Sequence, residues 1–171
     1  MTIGYRLATP ADGPAAAAMG RRCFVETFGG HFDPDDLVLH LDRMFGPGGL
    51  PGELADPSVR VMLAEDGDAI AAYLKLVPMS LATDHPPGAL EIKQLYVLEP
   101  WQGAGVAAAL MRRAIGLARD EGAPALFLSV WEHGARAIAF YRRHGFTVVG
   151  HAPFLLGTRV YQDPVMRLDL G

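Results

Sequence analysis

Between Tyr96 and Leu110 the chain passes from an apolar, strand-like run through Glu99-Pro100 into Trp101-Gln102-Gly103-Ala104-Gly105-Val106-Ala107, and then into a helix-forming stretch of Ala and Leu. A proline break followed by glycines and small residues implies a strand, a tight turn and a helix in succession. The first backbone N–H groups of such a helix have no partner inside it, and the helix dipole adds roughly half a positive charge there. The turn is a ready seat for an anion, and Gly103, Ala104, Gly105 and Ala107 leave its backbone bare for one.

The familiar nucleotide loops do not fit. A Walker loop needs Gly-Lys-Ser/Thr, and no Lys stands in this turn; a dinucleotide fingerprint needs a third glycine where Ala108 stands. On these residues alone, a merely tight strand-to-helix turn stays open beside the anion site.

The flanking pattern alternates strands and helices. Ile3, Tyr5 and Leu7 alternate with Gly4 and Arg6, which predicts a first strand, and a helix follows from about Asp12 to Thr27. Asp33-Pro34-Asp35-Asp36 resembles a helix start, with acids at the positive dipole end, and this second helix runs to Phe45 before Gly46-Pro47-Gly48-Gly49. Val59 to Ala64 and Ala69 to Val77 join through Asp66-Gly67 as a hairpin. Leu90 to Leu98 is a further strand, Gly103 to Glu121 the helix after the turn, and Ala125 to Trp131 a strand. A short helix from Ala135 to His144, a strand from Phe146 to Gly150 and a closing strand at Met166 to Leu170 complete one mixed α/β sheet.

At 171 residues the length suggests one domain, 1–171. No apolar run approaches the roughly 20 residues of a membrane helix, and no export signal is laid out, so a cytoplasmic protein is expected. Cys23 is the only cysteine, which excludes an intrachain disulfide and a cysteine metal cluster and reads as a core thiol. The six histidines show no metal-ligand pairing, so no metal is expected, and they read as surface or packing residues. Residues 1–85 carry 12 acidic and 6 basic side chains and residues 86–171 carry 7 and 9, an acidic front and a basic back. That balance suits a cationic substrate and a phosphorylated cofactor, though two solvated faces explain it equally well.

A second constellation follows roughly 30 residues after the glycine turn. Gln102, Gly105 and Ala107 match Gln/Arg-x-x-Gly-x-Gly/Ala, and Ala137, Phe140, Tyr141, Gly145 and Phe146 match Ala-x-x-Phe-Tyr-x-x-x-Gly-Phe. In this order the two motifs closely resemble the GCN5-related N-acetyltransferase (GNAT) superfamily. Phe24-Val25-Glu26-Thr27-Phe28, Asp36-Leu37, Ala72 to Leu76, Phe154 to Gly157 and Gln162 to Met166 resemble its bacterial polyamine (spermidine/spermine) branch. The resemblance implies the acyl-CoA N-acyltransferase fold, a mixed, mostly antiparallel central sheet flanked by helices, with acetyl-CoA as cosubstrate.

It further implies where that cosubstrate lies. Leu95, Tyr96 and Val97 pair their backbone with the pantetheine arm, as a peptide adds to a sheet edge. Gln102, Gly103, Ala104, Gly105, Val106 and Ala107 hold the pyrophosphate, with Gly134, Ala137 and Phe140 beside the arm. Arg143, or Arg112, Arg113 or Arg142, meets the adenosine 3′-phosphate. One departure stands out: an Asn common near the start of the second motif is Gly134 here, which predicts a modest loss of cofactor affinity.

Acetyl transfer to an amine needs a neutral amine, a stabilised oxyanion and a protonated leaving thiolate. A primary amine with a pKa of about 10.4 is neutral in roughly one molecule in two thousand at pH 7. By resemblance Tyr141 is the acid for the thiolate and a backbone N–H of Leu95 to Val97 the oxyanion donor. Glu91 is a candidate base, with an ordinary ion pair as the alternative. Glu26, Phe28, Asp33 and Asp36 are the candidate acceptor-binding residues, although capping explains the aspartates equally well. The expected reaction is acetylation of a primary amine, most of all a polyamine or another small amine. The rivals are a protein N-terminal or lysine acetyltransferase and a non-catalytic acyl-CoA sensor. No nucleic acid or membrane partner is expected, and a homodimer is possible.

Overall fold

A computed structural model describes residues 2–171, the side chain of residue 156 excepted. The elements in chain order are β1 (Ile3–Leu7), α1 (Gly13–Phe28), α2 (Pro34–Phe45), the short α3 (Leu50–Glu53), β2 (Arg60–Asp66), β3 (Ala69–Pro78) and β4 (Leu90–Val97). There follow α4 (Val106–Asp120), β5 (Ala125–Ser129), α5 (Ala135–Arg143), β6 (Thr147–Leu156) and β7 (Arg159–Asp169). The seven strands form one sheet in the order β1-β2-β3-β4-β5-β7-β6. Every neighbouring pair is antiparallel except β4 and β5, so the expected mixed, mostly antiparallel sheet is present.

Each sheet face carries its own core, because successive side chains of a strand point to opposite sides. On one face Val106, Leu110, Met111, Ala114 and Ala118 of α4 meet Leu74, Leu76, Ile92, Leu126 and Leu128. Val106, Leu110, Ala114 and Ala118 recur every four residues, one helical stripe. The two alanines at its end are fully buried, which lets the helix lie close to the sheet. On the other face Ala16, Met19, Cys23 and Phe24 of α1 and Leu41 and Phe45 of α2 cover Val61, Leu63 and Tyr73.

Three boundaries depart from the sequence expectation. Helix α4 begins at Val106 rather than Gly103, because Gly103 (φ 76°) and Gly105 (φ 80°) are left-handed and cannot belong to it. Strand β6 runs on past Gly150 to Leu156, and β7 begins at Arg159, well before Met166. A bulge between Val148 and Gly150 and the prolines at 153 and 164 hid this long hairpin. Proline 153 is tolerated because β6 is an edge strand. The short helix α3 also went unread.

Candidate active site

The parallel strands β4 and β5 pair only at Leu90 with Leu126 and Glu91 with Phe127. Beyond that point β4 continues to Val97 against β3 alone, and β5 continues to Ser129 against β7 alone. The bulge on β4 lies at the parting: Lys75 faces Gln94 and Leu76 faces Ile92, so Lys93 is the extra residue. Such an insertion bends and twists its strand. The result is an open edge inside the sheet, where the backbone of residues 92–97 on the β5 side has no strand partner. Leu95, Tyr96 and Val97 sit at its far end.

The glycine turn closes that end. Trp101 donates from Nε1 to Asp66 Oδ2 at 3.0 Å, which fastens the turn to the β2–β3 hairpin. Gln102 donates from Nε2 to the Val97 carbonyl at 3.0 Å and braces the turn against β4. Gly105 caps α4 without any side-chain bond, and the first helical bond runs from Ala109 N to Gly105 O. The N–H groups of Val106, Ala107 and Ala108 are thus free of helical partners. No atom lies within 4 Å of where a Cβ would stand on Gly103 or Gly105, yet their positive φ keeps both as glycine.

Helix α5 carries Tyr141 on the α4 side of the sheet. Ala137, Phe140 and Tyr141 pack against the α4-side core, with the Tyr141 ring 5.9 Å from Phe146 and 5.4 Å from Phe140. Burial pushes the Tyr141 phenol up to about 12. Tyr96 is raised as well, by burial first and then by Cys23 and Tyr141. Gly134 caps α5, and a Cβ there would stand 3.1 Å from the Trp131 carbonyl. Cys23 is a buried core thiol, raised to about 11 chiefly by burial. Its Sγ lies 3.7 Å from the Val97 carbonyl.

The arginines separate. Arg112 of α4 and Arg143 of α5 both depress the His144 imidazole, after burial. Arg113 instead lies over the Tyr5 ring at 4.5 Å, on the β1 side, where it packs rather than binds.

Glu91 faces away from α4 and is 2% exposed. Its Oε2 accepts from Ser80 N at 3.0 Å and Ser80 Oγ at 2.5 Å, and Lys93 Nζ lies 3.4 Å from Oε1. The ion pair weighed as the alternative is present, so the carboxylate is already engaged.

Of the acceptor candidates, Glu26 pairs with Arg22 at 2.8 Å along α1. Asp33 caps α2, accepting from Asp35 N at 3.0 Å. Even so, Asp33 and Asp36 line a cleft of about 470 Å³ with His31, Gly157 and Arg159, between the α1–α2 connection and the β6–β7 turn. Phe28 stands 5.4 Å from Trp131, a residue the sequence did not single out. The edges of His31, His133 and Tyr161 also meet Trp131, at 5.1, 5.2 and 6.0 Å. His31 and His133 thus pack on an aromatic ring, and His31 also lines the cleft.

Residues 21–146 match the family described as the acetyltransferase (GNAT) family. An uncharacterized N-acetyltransferase in the pepI 3′ region of Lactobacillus delbrueckii subsp. lactis is 34% identical over 161 residues, 93% of this chain and 92% of that one. Streptothricin acetyltransferase of Streptomyces lavendulae is 36% identical over 105 residues, 61% of this chain and 52% of its own. Among solved structures, PaiA N-acetyltransferase from Thermoplasma acidophilum in complex with coenzyme A superposes with a TM-score of 0.82 at 15% identity, covering 99% of both chains. That last likeness speaks for the fold.

Proposed function

The chain belongs to the GNAT family of acetyltransferases, and from that premise we propose that it moves the acetyl group of acetyl-CoA to a primary amine of a small polycation, with a polyamine such as spermidine as the preferred acceptor. The observation that carries this reading is the parting of β4 from β5, followed in the chain by a turn of left-handed Gly103 and Gly105. The residues present suit CoA: an extended arm fits the open edge as an added strand, and a pyrophosphate fits the unpartnered N–H groups of the turn.

When bound, the thioester supplies an activated acetyl group. The protein does the rest. Leu95, Tyr96 and Val97 hold the arm by backbone bonds, and a backbone N–H of this stretch donates to the acetyl oxygen. Gly103, Ala104, Gly105, Val106 and Ala107 hold the pyrophosphate, while Gln102 keeps the turn in place through Val97. Gly134, Ala137 and Phe140 border the arm on the α5 side. Arg143, joined by Arg112, meets the 3′-phosphate. Tyr141 delivers a proton to the departing sulfur, since a phenol raised to about 12 is fully protonated at neutral pH.

Glu91 takes a different part from the one its place on the strand suggested. With its oxygens held by Ser80 and Lys93 it acts as a positioning residue that fixes the β4 bulge, and the amine loses its proton to water in the cleft. Asp33 and Asp36 give that cleft its preference for cations, with Phe28, packed on Trp131, and Glu26, paired with Arg22, as the further acceptor-side residues.

The test is release of CoA thiol from acetyl-CoA with spermidine. Tyr141→Phe is expected to lower kcat by roughly 10²- to 10⁴-fold while CoA binding, followed by calorimetry, is retained. Wild-type turnover in that variant would remove Tyr141 from the mechanism. A panel that includes peptides and streptothricin decides the acceptor, and turnover confined to either of those would overturn the polyamine reading.

A further inference from the structure

The buried polar and charged side chains of this protein are Lys75, Glu91, Gln94 and Asp163 among the described residues. Three have partners suited to their charge. Lys75 is paired with Glu53, Glu91 with Ser80 and Lys93, and Gln94 accepts from the Tyr73 hydroxyl at 2.7 Å. Asp163 is different. It is 5% exposed, accepts one bond from Glu132 N at 3.1 Å, and among the described residues has no Lys or Arg within ion-pair distance. A buried carboxylate without a counter-ion is costly, so such groups are ordinarily paired.

The sheet register shows what Asp163 faces. Ser129 pairs with Val165, and Val130 N donates to Pro164 O at 3.0 Å, so Asp163 flanks Trp131. Alternation along β7 puts Tyr161, Asp163 and Val165 on one side of the sheet, and the Tyr161 ring meets Trp131 at 6.0 Å. Ser129 of β5, two residues before Trp131 and toward the parting of β4 and β5, is exposed although its strand lies inside the sheet. Two residues along a strand span roughly 6.6 Å, the reach of a few methylene groups. The remaining titratable neighbours are Glu132, which adds negative charge, and His133, whose ring lies 5.5 Å from Tyr161.

We propose that Asp163, with the Trp131 and Tyr161 rings beside it, seats a second ammonium group of the acceptor, so that a diamine is selected over a monoamine of the same length. The carboxylate supplies a charge-assisted bond and the rings supply cation–π attraction. This assignment rests on the amine-acetyltransferase reading above, but it names a residue on β7 rather than the acids of α2 as the seat of the remote charge.

The experiment compares kcat/KM for a linear diaminoalkane and for the alkylmonoamine of equal chain length, in the wild type and in Asp163→Asn. The wild type should prefer the diamine. In Asp163→Asn that preference should fall by roughly 10- to 100-fold, through KM rather than kcat, and Asp163→Glu should restore part of it. Tyr161→Leu, which removes one ring and leaves the carboxylate, should lower the preference by about 2- to 5-fold and decides the matter if Asp163→Asn does not fold. An undiminished preference in a folded Asp163→Asn variant, or in Tyr161→Leu where that variant is unfolded, would overturn the proposal. So would loss of the preference in Asp36→Asn instead. If the wild type acetylates neither amine, the functional reading itself has failed; if it acetylates both equally, only the diamine seat has.

Discussion

In the proposed reading Tyr141 donates a proton, and its surroundings rather than a neighbouring base keep it in the acid form. Burial alone raises its phenol, because a phenolate in this apolar setting would lose its hydration. The acid form is the working form, so the raised value extends activity upward in pH. We expect kcat/KM to rise with pH as the acceptor amine loses its proton, and to show no fall from tyrosine ionisation below about pH 10, the ordinary value for the group. A pH–rate profile checks this, and a descending limb near pH 8 that disappears in Tyr141→Phe would refute it. Tyr141 was legible in the sequence because Ala137, Phe140 and Gly145 surround it at fixed spacing. Trp131 and Tyr161 were not, and Asp163 enters only within the Gln162 to Met166 resemblance, because the three meet only through the β5–β7 register across some 30 residues of chain. For Glu91 the sequence offers the Lys93 pair but not Ser80, because nothing in it links the two residues, 11 positions apart across a proline-containing connection.

Among the elements, the strands and helices follow from periodicity, but the parting of β4 and β5 does not. It depends on one extra residue, Lys93, opposite β3, and a strand pattern of Leu90 to Val97 looks the same with or without it. The long β6–β7 hairpin was lost for a related reason, since a bulge and two prolines interrupt its alternation. Helix α2 carries a consequence of its own. His40 packs 4.9 Å from Phe24 and 5.3 Å from Phe32, and its Nε2 is buried without a hydrogen-bond partner. Burial, and then Arg43, lowers its pKa. The unfolded chain takes up the proton near pH 6.5 while the folded protein resists it, so stability present above that pH is lost as pH falls below it. His144 is depressed in the same direction. Thermal melts should therefore show a Tm that drops between pH 7 and 5.5. His40→Phe should flatten part of that drop and raise stability by about 1 kcal/mol through loss of the unpaired nitrogen. A pH dependence identical to wild type would contradict this account.

At the scale of the whole molecule the sheet divides two tasks between its faces. In the proposed reading the bare turn before α4 and Tyr141 of α5 serve the acyl donor on the α4 side. The connection after α1, the start of α2 and the β6–β7 turn place acids and aromatic rings on the other. In the proposed reading the acyl donor and the amine meet at the open edge between β4 and β5. That arrangement makes the central claim, transfer of acetyl from CoA to a polycationic amine, directly measurable. Mass spectrometry of spermidine incubated with acetyl-CoA and the wild-type protein should show mono-N-acetylspermidine in one-to-one ratio with released CoA. Tight binding of acetyl-CoA without acetylation of spermidine or any other small amine would contradict the account.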